Sequence, residues 1–326
     1  MSSGGGMHVV RDPLGAAELP RGGIATIGNF DGVHRGHQRI LRRVVARARE
    51  VGRPAVAITL EPHPLAVLRP DQAPPRLQTL RQKEEAIEAL GIDTLLVIPF
   101  TRDFSLTEPE DFVRDFLGAR LGASEIFLGR HFAFGRGKRG DLSLLALLGP
   151  EFRFQASAVE EVDFEGEPIS STRIREAIRA GEVARAAAML GREYEMAGIV
   201  SKGSGVGRRI GFPTVNLAPE NELFPANGVY VSRLALESSR QIFRSVTNVG
   251  TRPTLYEDYL RTIETFVLDF SGDVYGERVG LFFVERLREE RKFDSLEELT
   301  EQIGRDVEAA RRHTASHLGV VAGPDR

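Results

Sequence analysis

Four short apolar runs in the first half of the chain, "IATIGNF" (24–30), "AVAITL" (55–60), "TLLVIPF" (94–100) and "EIFLG" (125–129), alternate with helical patterns near 36–51, 79–90 and 107–118. The runs read as buried strands. Strands alternating with helices at this spacing predict parallel strands joined by right-handed crossovers, a doubly wound α/β domain. In such sheets ligands bind beyond the carboxyl ends of the strands. The third helix is expected to open at Thr107 and Glu110, in capping-box spacing, with Pro109 in its first turn.

After about residue 170 come two short helical stretches, "TRIREAIRA" and "EVARAAAML", closed by Gly181 and Gly191. From Tyr194 to about Arg286 the pattern changes. "YEMAGIVSKG", "GVYVSRLAL", "IFRSVTNVG", "TIETFVLDF" and "RVGLFFVERL" are β-rich and separated by Gly, Pro and Asn, which predicts an antiparallel sheet or small barrel. A last helix opens with Ser295 and Glu298 in capping-box spacing. The small, polar opening "MSSGGGMHVV" has no apolar h-region and reads as a loose tail, taken as 1–7, ahead of domains at 8–190 and 191–326. Two domains suit 326 residues at roughly 150 residues per domain.

Composition narrows the chemistry. The chain has no cysteine, so disulfides, thiolate catalysis and iron–sulfur ligation are excluded, and zinc is left only histidine and carboxylate ligands. A net charge of −3 argues against a partner held by bulk electrostatics, such as duplex nucleic acid or an anionic membrane. With no run of about 18 apolar residues, no membrane span is expected. A cytoplasmic protein is the expectation.

The stretch "TIGNFDGVHRGHQRIL" (26–41) carries a strand into a helix through a glycine-rich turn. That geometry presents backbone N–H groups and a helix N-terminus to an anion. Gly28, Gly32 and Gly36 allow close backbone approach, and His34 and His37 are aimed at one region. They fit phosphate binding, a metal pair short of a third ligand, or buried histidines satisfied by backbone.

His34-Arg35-Gly36-His37 resembles the HxGH signature of the nucleotidyltransferase superfamily related to class I aminoacyl-tRNA synthetases. Its second signature, a hydroxyl- and cation-rich loop before a late helix, has a counterpart in "ISSTRIREAI" (169–178). "GNFDGVHRGH", "EPHP" (61–64), "GRHFAFGRGKRGD" (129–141) and "ISSTRIR" together resemble the FMN adenylyltransferase domain of prokaryotic bifunctional riboflavin kinase/FAD synthetases, from about residue 8 to 190. The resemblance implies a Rossmann-like nucleotidyltransferase domain. It places ATP against Gly28, Asn29, Phe30, Asp31, Gly36, Ser170, Ser171, Thr172 and Arg173, with His34 and His37 acting on the phosphates. It places FMN near His63, His131 and Phe132, where His131-Phe132 stands in place of the family's usual Asp-Phe pair.

In the second half, Thr214 and Asn216 of "GIVSKGSGVGRRIGFPTVN" (198–216) share one side of an extended chain. Their oxygens could ligate Mg²⁺ or serve an ordinary β-edge turn. Glu264 of "TIETFVLDF" shares a face with Phe266 and Leu268, as a carboxylate with a task or as part of a rim ion pair. "GRRIGFPTVN", "GVY" (228–230), "NVGTRPT" (248–254), "IETFVLDF" and "DVYG" (273–276) resemble the riboflavin kinase domain of the same family, from about 192 to 315. The resemblance implies a small antiparallel barrel with a C-terminal helix. It implies Glu264 as general base, Mg²⁺ on Thr214 and Asn216, and ATP wrapped by Gly203, Gly207, Arg208, Gly211 and Pro213. The substrates and products would be ATP, riboflavin, FMN and FAD.

Two other readings compete. The basic pattern "RILRRVVARARE" (39–50) fits RNA binding or a solvated helix face, and no aromatics interleave it for stacking. Alternatively only the second half is catalytic, a riboflavin kinase whose first half is a regulatory module binding flavin or nucleotide.

Overall fold

The computed structural model describes residues 6–16, 18–202, 207, 210–253 and 259–313. The first half runs β1 (His8–Arg11), β2 (Ile24–Ile27), α1 (Arg35–Val51), β3 (Ala55–Glu61), α2 (Pro64–Leu68), α3 (Leu80–Glu88), β4 (Thr94–Pro99), α4, β5 (Glu125–Gly129), α5 (Leu142–Phe152) and β6 (Gln155–Val159). Helix α4 is a short α-turn, Pro109–Asp111, continued by a π-helix over Phe112–Arg120.

All six strands are parallel, in the order β1-β4-β3-β2-β5-β6. From β2 the chain steps outward to β3 and β4, then crosses to β5 on the other side of β2. The strand order therefore reverses between β2 and β5, and the loops leaving those two strands flank the place where such sheets bind ligands.

Alternate residues of each strand feed two cores. Ile27, Ile58, Leu96 and Ile126 pack on one face with Phe112, Phe116 and Leu117 of α4. Ile24, Ala57, Leu95 and Phe127 pack on the other with Leu41, Val44 and Ala48 of α1 and Ile87 of α3. Burial on both faces explains why the strands read as continuous apolar runs. The 41/44/48 spacing puts one stripe of α1 on the sheet, and truncating fully buried Leu41 to Ala costs about 2–5 kcal/mol.

Three features depart from the sequence reading. A strand not among those expected follows the opening tail: His8–Arg11 pairs in register with Thr94–Val97. Helix α4 has no side-chain cap; Glu108 is its N-cap, while Thr107 closes the preceding 3₁₀ turn. Helix α5 and strand β6 lie outside the expected elements, although Asp141 caps α5 by accepting the Leu144 N–H at 3.0 Å.

A two-stranded ribbon, β7 (Asp163–Phe164) and β8 (Glu167–Pro168), leads to α6 (Ser171–Ala180) and α7 (Val183–Leu190). The second half continues as β9 (Tyr194–Ser201), β10 (Thr214–Pro219), β11 (Gly228–Leu236), β12 (Ile242–Pro253), β13 (Tyr259–Val267), β14 (Arg278–Arg288) and α8 (Leu296–Arg312). Its strands close an antiparallel barrel in the order β10-β13-β12-β11-β14-β9. Two compact units result: one through Pro75 and over Leu80–Ser170, the other holding Arg76–Thr79 and the chain from Ser171 onward. The boundary expected near residue 190 falls just before β9, and α6 and α7 group with the barrel.

The barrel interior combines Tyr194, Tyr230, Leu281 and Phe283 with a buried hydroxyl chain. Ser232 lies 2.8 Å from Ser245 Oγ and 2.7 Å from Thr247 Oγ1, which is 2.9 Å from Thr265 Oγ1. Each hydroxyl has a partner, so their burial is compensated. On the outer face, Val229, Val231 and Val246 pack beneath Ile303, Val307 and Ala310 of α8. Ser295 caps α8 by accepting the Glu298 N–H at 3.2 Å, as its spacing predicts.

Candidate active sites

Beyond β2 the chain turns sharply into α1. Gly28 N–H donates to the Ile58 carbonyl, extending the ladder by one bond. Phe30 (φ 47°), Gly32 (φ 84°) and Val33 (φ 38°) then take left-handed backbone conformations. Glycine does so freely, whereas Phe30 and Val33 are strained and held by near-complete burial. Gly28 and Gly36 have a packing reason as well. A Cβ on Gly28 would meet the Phe30 ring at 2.9 Å, and one on Gly36 the His34 ring at 3.1 Å.

The turn folds its polar groups inward, leaving Asp31 and His34 buried. His34 is the N-cap of α1, and its Nδ1 accepts the His37 N–H at 3.4 Å. An accepting Nδ1 puts the proton of neutral His34 on Nε2. The two imidazoles stack with centroids 3.7 Å apart, and Phe30 meets His37 edge-on at 5.4 Å. Burial foremost, then the charges of His34 and Lys83, holds the His37 pKa well below 6.5, so His37 is neutral at pH 7. Its buried Nδ1 finds no hydrogen-bond partner among the described residues. Lys83 is itself buried, with Nζ 3.2 Å from Glu61 Oε2. Asn29 joins the turn through its carbonyl, which accepts from Thr59 Oγ1 at 3.3 Å.

The chain returns to this turn just ahead of the second motif. A Cβ on Gly36 would lie 3.9 Å from the carbonyl of Ile169, the residue before Ser170. Ser171, Thr172 and Arg173 form the first turn of α6. His63 follows β3 directly, capping α2 by accepting the Leu65 N–H at 3.2 Å. His131 and Phe132 follow β5. The His131 side chain is largely exposed, with Nε2 3.5 Å from Glu161 Oε1, whereas Phe132 packs against the core and stacks on Phe134. Both loops thus leave the carboxyl edge of the sheet, β5's loop beside the switch point. On α1, Arg39 pairs with Glu160, Arg47 with Glu125 and Arg49 with Asp93, while Arg43 lies over the Phe127 ring.

In the barrel, Glu264 stands in one row with two amides: Asn216 of β10 and Asn248 of β12 are its register partners on either side. Paired residues project to the same face, so the three side chains are neighbours. Thr214 begins the next row, opposite Phe266. A cleft of about 320 Å³ opens on this face, lined by Thr214, Asn248, Glu264, Glu290, Phe293 and the α8 residue Leu299, among others. Gly207 also lines it, so close to the Phe212 carbonyl that a Cβ would collide. Gly211 turns the chain with φ 86°, and Pro213 is exposed just before β10. Gly203 and Arg208 lie outside the described residues. Among the described residues no group of three or more His, Cys, Asp or Glu side chains is placed to hold a metal ion.

Two family models divide the chain between them. The FAD synthetase model matches residues 16–173, and the riboflavin kinase model matches 190–314. The chain belongs to the bifunctional riboflavin kinase/FMN adenylyltransferase family. A bifunctional riboflavin kinase/FMN adenylyltransferase from Pseudomonas fluorescens is 38% identical over 305 residues, covering 94% of this chain and 97% of that protein. One from Escherichia coli K12 is 35% identical over 306 residues, with the same coverage. A crystal structure titled macrolide-efflux protein, from Streptococcus pneumoniae, superposes with a TM-score of 0.85 at 29% identity, covering 94% of this chain and all of that one. Among the described residues no helix is long and apolar enough to cross a membrane.

Of the residues expected for the kinase site, Gly207, Thr214 and Glu264 line the barrel cleft, and Asn248, Glu290 and Phe293 line it without having been expected. Asn248 was available from strand register, because "NVGTRPT" pairs with "IETF". Glu290 and Phe293 follow β14 and reach the cleft only through the return of the chain toward α8, which no local pattern encodes.

Proposed function

We infer that the chain makes flavin cofactors in two steps, phosphorylating riboflavin to FMN with ATP and then adenylylating FMN to FAD with release of pyrophosphate. The observation that carries this is the match of one family model to each half of the chain. Both halves are matched, which favours two activities over a kinase with a regulatory first half.

For the first half, 8–190, we propose that the turn holding His34 and His37 binds the ATP phosphates, with Gly28, Asn29, Phe30, Asp31 and Gly36 shaping that turn. A phosphate oxygen of FMN attacks the α-phosphorus of ATP, and the bond to pyrophosphate breaks. The second pKa of a phosphate monoester is about 6, so FMN is already ionised and needs no strong base. What the protein adds is charge stabilisation from fixed donors. The Nε2–H of His34 is such a donor, and neutral His37 beside it, with one N–H of its own, is a second. Ser170, Ser171, Thr172 and Arg173 close over the phosphates, and His63, His131 and Phe132 face the flavin.

For the barrel half, 191–326, the nucleophile is the 5′-hydroxyl of riboflavin. Glu264 takes its proton as the oxygen attacks the γ-phosphorus of ATP, and ADP leaves. A positioned base contributes about 10²–10⁴-fold. Thr214 and Asn216 offer a hydroxyl and an amide oxygen on one face of β10, donors that suit Mg²⁺, and we propose them as its protein ligands. Bound there, Mg²⁺ would neutralise charge on the ATP phosphates. Gly207, Gly211 and Pro213, with Gly203 and Arg208, form the segment proposed to wrap them. Use of ATP supports a cytoplasmic location.

One time course tests the whole reading. Riboflavin, ATP and Mg²⁺ are mixed with the protein and the flavins are separated by chromatography. FMN should rise and then give way to FAD. FMN that accumulates without FAD would leave the first half without its activity.

A further inference from the structure

Glu290 lies just beyond β14 and lines the cleft that contains Glu264, yet no motif singles it out. Its carboxylate is held by two amides. Asn227 Nδ2 donates to Oε2 at 3.2 Å, and Asn248 Nδ2 approaches Oε1 at 3.5 Å. Asn227 is in turn oriented by Arg261, whose Nη1 donates to the Asn227 Oδ1 at 3.2 Å. That contact turns the Asn227 NH₂ toward the carboxylate.

The strand itself makes room for this arrangement. Val246, Asn248 and Gly250 succeed one another on the outer face of β12. At Gly250 a Cβ would collide with Glu290 Oε1 and press on Asn248 Nδ2 at 3.3 Å. Glycine within a strand weakens it and marks close approach of another group. Here the approaching group is the Glu290 carboxylate, and Asn248 beside it is the register partner of Glu264.

We propose that Glu290 is a positioning residue for riboflavin phosphorylation, fixing the Asn248 amide beside Glu264 through a seat that only glycine at 250 leaves open. The inference rests on Glu264 being the kinase base. Glu290 acts through Asn248, setting the rotamer of the amide beside the base.

The test compares Glu290→Ala, Gly250→Ala and the double variant in the full chain, with riboflavin, ATP and Mg²⁺, reading FMN formation. Gly250→Ala keeps every functional group and an allowed backbone; it evicts the flexible end of Glu290 and asks Asn248 to give by only a few tenths of an ångström. Each single variant should lower kcat about tenfold, a part of the ~10²–10⁴ a positioned base contributes, with the KM for riboflavin changed less than about twofold. The double variant should lose no more than either single one, because both remove the same contact. FAD formation from supplied FMN should be unchanged, and the midpoint of thermal kinase inactivation should match wild type, reporting an intact barrel. Wild-type kcat in either single variant, a loss confined to KM, or losses that multiply in the double variant would each overturn the proposal. Glu264→Gln is run alongside: full turnover there would remove the reading of Glu264 as the base, whereas a silent Glu264→Gln beside normal Glu290 variants would remove only this inference.

Discussion

Removing Asp306 should detach α8 from the barrel and, with it, riboflavin phosphorylation. Asp306 is buried at 5% exposure and faces β14. Arg288 donates to it through Nε, 3.1 Å from both carboxylate oxygens, and through Nη2 at 2.8 Å, while Gln302 Nε2 donates at 2.8 Å. Asp306→Ala deletes the acceptors and leaves a guanidinium without its counter-charge. Breaking a buried pair from one side costs about 3–5 kcal/mol. The Arg288 side chain keeps 20% exposure and can turn partly to water, so the lower end applies, about 3 kcal/mol. At about 2–4 °C per kcal/mol for a domain of this size, the barrel's midpoint should fall by about 6–12 °C. Asp306→Asn should do little better, since its NH₂ faces the Arg288 donors. The assay heats the protein in steps and then measures both activities. Kinase inactivation should shift by that interval because α8 contributes Leu299 and Ile303 to the cleft. FAD formation from supplied FMN should keep its own midpoint. A kinase shift under about 2 °C would refute the argument that this pair holds α8 in place.

Further outcomes follow from the two sites. His37→Ala should lower FAD formation from FMN by about 10²-fold, the scale of losing one charge-stabilising donor, and leave FMN formation intact; an unchanged rate would dismiss the assignment. Because the His37 pKa is depressed in the folded chain, its contribution to stability is full above the unfolded value of 6.5 and is lost as pH falls from there toward the folded pKa. Urea midpoints measured against pH should show this acid-side loss in the wild type and less of it in His37→Asn; identical slopes would contradict it. Glu264→Gln should fold normally and lose about 10²-fold or more of kinase turnover while still converting supplied FMN to FAD, as chromatography of the flavins would report.

Much of this architecture is legible in the chain. A strand buried on both faces must be apolar throughout, so β2, β3, β4 and β5 announce themselves within a few residues of their observed limits. The capping geometry of Ser295 is equally local. Where tertiary contact outweighs local preference, the reading fails. "HVVR" is too short to declare itself and becomes β1 because β4 offers an unpaired edge. Thr107 has the spacing of a cap, yet its backbone closes the preceding turn and its carbonyl accepts the Arg136 N–H. The glycines of the turn between β2 and α1 also change meaning: Gly28 and Gly36 make way for the rings of Phe30 and His34.

The sequence by itself determined the two grammars, period-breaking apolar runs and then short β segments, and the motifs that name both chemistries. Those are local properties, carried by spacing along the chain. Only the tertiary structure decided that strand order reverses between β2 and β5, that Ile169 returns to the carboxyl side of β2 beside Gly36, and that Glu264 stands in register between Asn216 and Asn248 with Glu290 across from Gly250. These are contacts between residues far apart in the chain. Strand register and crossover handedness set them, and no window of sequence contains both partners.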